Sequence, residues 1–165
     1  MNEAPRSPAD TPEPAGERGH VIVRTFDLPA SVLFRCWSEP AHLVRWFGPK
    51  GWPLTLCEVD FRVGGRFRFA MTGPSGVQNT PFGGEYLAIE PDRLIAYSNT
   101  FEEAGAETMI VTVTFEEHDG KTVQRLHTLF GSVAMKDLHL GYGYEAGTRS
   151  AQDQLAALGA SLVAS

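Results

Sequence analysis

The sequence predicts an α+β domain: an antiparallel sheet with one face buried beneath a long C-terminal helix. From Pro53 to about Gly131, short β-rich runs are separated by turn signals at Val63-Gly64-Gly65, Gly73-Pro74-Ser75-Gly76, Glu90-Pro91-Asp92-Arg93 and His118-Asp119-Gly120. Within one run, "ETMIVTVTFEE", Met109, Val111, Val113 and Phe115 alternate with Thr108, Thr112, Thr114 and Glu116, Ile110 being the exception. In "YEAGTRSAQDQLAALGASLVA", Tyr144, Thr148, Ala151, Leu155, Leu158 and Leu162 fall on one helical stripe. A sheet with one apolar face needs a cover, and this helix is the element long enough to provide it.

The elements follow in order. Residues 1–19 hold Pro5, Pro8, Pro12 and Pro14 among small and charged residues, and this composition predicts a disordered tail before a domain over residues 20–165. "HVIVRTFDLP" reads as a strand running into a helix at Pro29. Val32, Leu33, Cys36 and Trp37 recur at helical spacing, and Ser38-Glu39-Pro40 starts a second short helix that carries Leu43, Trp46 and Phe47 to the stop at Gly48-Pro49. The meander follows, then an irregular stretch, "SVAMKDLHLGYG", and the closing helix.

Composition limits function. The 165 residues, 42% of them hydrophobic, suffice for one core, and the net charge of -6 argues against a nucleic-acid or anionic-membrane surface. With no secretory h-region and no apolar run long enough to span a bilayer, the chain reads as a soluble cytoplasmic protein. Cys36 and Cys57 lack C-x-x-C spacing, and the five histidines lack ligand spacing, with His20, His42 and His118 expected in solvent; no metal or other cofactor is expected. No nucleophile elbow or activated thiol context is present either. Sheet edges and abundant aromatic residues allow a homodimer.

The segments "FDLPASVLFRCWSEPAHLVRWFGPKGW", "VDFRVGGRFRFAMTGPSG", "GGEYLAIEPDRLIAYSNTFEE", "VTVTFEEHDGKT" and "GYEAGTRSAQDQLAAL" resemble, in this order, the bacterial proteins of the Hsp90-ATPase-activator-like family, within the START and Bet v 1-like superfamily. The resemblance implies a helix-grip fold, in which a curved sheet wraps the last helix around a cavity. It implies a small hydrophobic ligand, aromatic or lipid-like, because the superfamily includes lipid carriers. It also includes polyketide aromatase/cyclases, which gives an enzymatic alternative, and the family name suggests a cochaperone-like interaction module. The eukaryotic cochaperone carries a further N-terminal domain where this chain has its Pro-rich tail, which disfavours Hsp90 activation.

Candidate wall residues come from both sources. The resemblance places Trp46, Phe47 and Trp52 at one end of the cavity, where they either plug the core or line the site. Alternation turns Phe67, Phe69 and Met71 inward and leaves Arg66 and Arg68 in solvent. The same rule puts Glu85 with Leu87 and Ile89, so its carboxylate needs a partner or a proton unless the strand opens to water there. Asn99 shares a face with Ile95, Tyr97 and Phe101 and either bonds the protein or awaits a ligand. In "KTVQRLHTLF" neither alternate set is cleanly apolar. Matching to the family turns Gln124, Leu126 and Thr128 inward and leaves Arg125 and His127 exposed; a slip of one residue would reverse this. Tyr144, Thr148 and Ala151 approach from the helix. Glu85, Tyr97, Asn99, Gln124 and Tyr144 are the groups available for acid–base or orienting roles in the enzymatic alternative.

Overall fold

The computed structural model describes residues 16–164. It contains β1 (Gly19–Phe26), α1 (Ala30–Ser38), α2 (Pro40–Trp46), β2 (Leu54–Val59), β3 (Arg66–Met71), β4 (Phe82–Glu90), β5 (Leu94–Phe101), β6 (Met109–His118), β7 (Lys121–Leu129), α3 (Val133–Gly141) and α4 (Tyr144–Ala164). The strands form one seven-stranded antiparallel sheet in the order β1-β7-β6-β5-β4-β3-β2. This is the α+β helix-grip arrangement, with α4 against the inner face. Most of the expected tail, residues 1–15, lies outside the described residues. Its last residues do not: Gly16–Arg18 form one 3-10 turn, and the Arg18 guanidinium donates to the Phe130 carbonyl at 3.2 Å, so the folded unit includes residues before His20.

Local chemistry explains the meander. Asp119 and Gly120 both have positive φ, 54° and 79°, and close a two-residue hairpin turn between His118 and Lys121, which pair directly. That turn twists in the sense of the strands it joins. It therefore fixes the register of β6 on β7, and Met109, Val111, Val113 and Phe115 are all buried. Opposite them on β7, Thr122, Gln124, Leu126 and Thr128 are buried as well. Arg125 and His127 lie on the outer face but are half-buried instead of exposed.

Three expectations are corrected. In β4 the register shifts between Tyr86 and Ala88, so both Tyr86 and Ile89 face the core while Leu87 is exposed. Alternation thus ends at a bulge, and Glu85 falls outside the cavity, beside Arg66 in register. The stretch expected to be irregular holds α3, capped by Ser132, whose hydroxyl accepts from the Met135 amide at 3.0 Å. No residue of α3 is buried, so it lacked the apolar stripe that reveals a packed helix. His20 and His42 are partly shielded, each within 3.2 Å of a carboxylate oxygen, of Glu145 and Glu39 respectively.

Helix α4 is anchored along its length. Tyr144 meets Thr128 of β7, Arg24 of β1 reaches Asp153 at 2.6 Å, and Gln154 donates to the carbonyls of Trp46 and Gly48. Near its end a Cβ on Gly159 would fall 2.4 Å from Leu28 Cδ1, so the glycine permits close approach of the loop after β1. Gly143, with φ of 88°, allows the sharp break between α3 and α4.

Candidate ligand-binding cavity

Between α4 and the sheet lies a cavity of about 340 Å³. The sheet contributes Tyr97, Asn99, Phe101, Val111, Gln124 and Leu126; α1 and α2 contribute Trp37 and Trp46, with Phe47 just beyond; α4 contributes Tyr144, Thr148, Ala151 and Gln152. His139 and Tyr142 stand on the α3 side. Tyr142 is almost fully exposed and Asn79, Thr80 and Pro49 are also near solvent, which makes this rim the mouth.

Rings support one another around the wall. Trp37 and Trp46 meet edge to face with centroids 4.8 Å apart, and Phe47 packs on Phe69 at 5.1 Å. His139 lies 5.9 Å from Phe101 and 5.6 Å from Phe130. Two wall aromatics have their polar tips held by the protein: the Trp46 indole donates to the Cys36 carbonyl at 2.9 Å, and Tyr144 Oη lies 2.7 Å from Thr128 Oγ1. Such rings offer flat apolar surface with little freedom left to lose on binding.

Polar groups interrupt this surface at defined points. The Trp37 indole donates to Gln124 Oε1 at 3.0 Å. Gln124 Nε2, Asn99 Oδ1 and both side-chain polar atoms of Gln152 have no hydrogen-bond partner in the protein. The wall carries no Lys, Arg, Asp or Glu. Burial lowers the His139 pKa below 6.5, a shift the nearby Glu103 carboxylate opposes, and burial raises the Tyr97 and Tyr144 phenols above their ordinary range. Near neutral pH the lining is therefore uncharged. Of the two thiols, Cys36 is pushed up to about 11, chiefly by burial, which leaves it a poor nucleophile. Among the described residues, no three His, Cys, Asp or Glu side chains are grouped to hold a metal ion, and no helix is long and apolar enough to cross a membrane.

The sequence profile described as Activator of Hsp90 ATPase homolog 1-like protein matches residues 27–160. The chain belongs to this family. No curated protein matches it. Among solved structures, protein CV1439 from Chromobacterium violaceum is similar at 27% identity, covering 86% of this chain and 96% of that one, with a TM-score of 0.71. A protein from Arthrobacter aurescens shares 26% identity over 90% of each chain, with a TM-score of 0.81. Protein NE0264 from Nitrosomonas europaea, at 23% identity, covers 91% of this chain and 99% of its own with a TM-score of 0.81, and shows likeness of fold alone.

Within this Hsp90-activator-like chain, the structure brings Trp46, Phe47, Tyr97, Asn99, Gln124, Leu126, Tyr144, Thr148 and Ala151 onto one wall. It does not bring Trp52, Phe67, Phe69 or Glu85 there. Trp52 is 36% exposed and packs against Gly73, where a Cβ would come within 2.4 Å of the indole ring. Phe67 and Phe69 point inward, but with Leu43, Tyr86 and Ile95 they seal the far end of the core and leave a void of only about 10 Å³. Trp37, His139 and Gln152 are wall residues that sequence reasoning missed. A signal existed for Gln152, which stands four residues after Thr148 and eight after Tyr144 on the inner stripe.

Proposed function

We propose that this protein binds a small, largely apolar molecule in the cavity between α4 and the sheet. The observation that carries the reading is an aromatic-walled space of about 340 Å³, open at the α3 side, with side-chain amide atoms at its wall that lack protein partners. Apolar area supplies affinity in such a site, and a few polar groups set orientation. For the enzymatic alternative, Glu85 lies outside the cavity, which leaves the wall without a carboxylate base, while Tyr97, Asn99, Gln124 and Tyr144 remain on it. The cochaperone-like reading draws on the family description, and an open cavity favours the small-molecule reading over it.

Native mass spectrometry of the protein purified from its own host tests the proposal. The expected result is an added mass that leaves on collisional activation. A bare mass under gentle conditions, together with no thermal shift from a panel of aromatic and acyl-chain compounds, would contradict it.

A further inference from the structure

Gln124 from β7 and Gln152 from α4 both line the cavity. The Trp37 indole is a donor only, so its bond to Gln124 fixes that amide with Oε1 toward Trp37 and leaves Nε2 as the free group, a donor. Gln124 pairs in register with Arg24, whose guanidinium holds Asp153, the neighbour of Gln152 on α4. That ion pair links α4, one residue from Gln152, to the β1 residue paired with Gln124. Gln152 is 2% exposed and brings a donor and an acceptor, neither satisfied by the protein. A buried side-chain amide without partners is costly to keep, and an apolar residue of similar size would fill the same space.

Charge narrows the ligand further. A carboxylate entering the cavity would lose its water and meet no Lys or Arg, and an ammonium would meet no Asp or Glu. Fatty acids and other carboxylates are disfavoured. Resting on the reading of the cavity as a ligand site, we propose that it selects an uncharged planar molecule with an amide-like edge, acceptor beside donor, seated against Gln124 and Gln152. The acceptor takes the Gln124 Nε2 hydrogen, the donor meets Gln152 Oε1, and the aromatic body lies among Trp37, Trp46 and Tyr97.

Calorimetric titration at pH 8 with 2-naphthamide, methyl 2-naphthoate and 2-naphthoate tests this, since the three share a ring system and differ in charge and donor capacity. The amide is expected to bind at least tenfold more tightly than the carboxylate and more tightly than the ester. Gln152→Leu should lose the preference for the amide over the ester; Gln152→Met serves the same purpose should the leucine variant fail to fold. A carboxylate that binds as well as the amide, or an amide preference that survives loss of Gln152, overturns the inference while binding of the ester keeps the cavity reading intact. If none of the three binds, the cavity reading fails and this inference with it.

Discussion

Tyr144 Oη and Thr128 Oγ1 lie 2.7 Å apart, joining the first turn of α4 to the buried face of β7. Tyr144 lines the cavity next to α3, and Thr128 is fully buried. The bond holds the helix at a fixed distance from the sheet beside the mouth, so Tyr144→Phe leaves a buried hydroxyl unpaired at little cost in shape. A destabilisation of about 1–3 kcal/mol is expected from the lost bond. Chemical denaturation measures it directly, and an unchanged midpoint and slope would show that the contact does not hold the helix.

The aromatic cluster after α1 divides between two roles. Trp46 is buried with its indole bonded to Cys36, whereas Trp52 lies outside against Gly73. Trp46→Ala is therefore expected to cost about 3–5 kcal/mol, the range for truncating a buried aromatic. Trp52→Ala should leave affinity for any cavity ligand within about twofold, well under the tenfold change that 1.4 kcal/mol represents. Parallel melts and titrations check both, and a large affinity loss in Trp52→Ala would return that residue to the site.

Burial of His139 lowers its pKa below the ordinary 6.5, so the unfolded chain binds a proton there before the folded protein does. The stability contributed by the neutral imidazole is complete above pH 6.5 and is lost as pH falls from 6.5 toward the folded value. The melting temperature should decline across that interval, and His139→Gln should decline less. Superimposable pH profiles for the two proteins would contradict the assignment.

The fold was legible wherever burial followed a simple period. β6 alternates in sequence and in space because the Asp119-Gly120 turn fixes its pairing with β7. In β4 simple alternation puts Glu85 on the wrong side, because the bulge at Leu87 adds a residue that no local composition marks. Helix α3 carries no periodic signal because it packs through partly covered residues such as Met135 and His139, not by a buried stripe. Part of the cavity wall was readable from faces of β5, β7 and α4. The rest, Trp37 and His139 above all, comes from where chain-distant elements meet, which periodicity alone does not encode. Phe67 and Phe69 show the converse: facing inward placed them in the core, but not on its open part.

The central claim is that the interior is an open site rather than a packed core, and Ala151 tests it most directly. Its methyl group faces the cavity from α4, buried at 6% exposure, and Phe in its place would project a ring into the empty volume. Overpacking a filled core costs about 1–3 kcal/mol or more, whereas a cavity accommodates the ring. The measurement is binding of methyl 2-naphthoate to the parent and to Ala151→Phe, followed by quenching of the tryptophan emission, alongside thermal melts of both. The account predicts that the variant melts cooperatively at or above the parent temperature and has lost the ligand. A variant that unfolds, or one that folds and binds as the parent does, would contradict it.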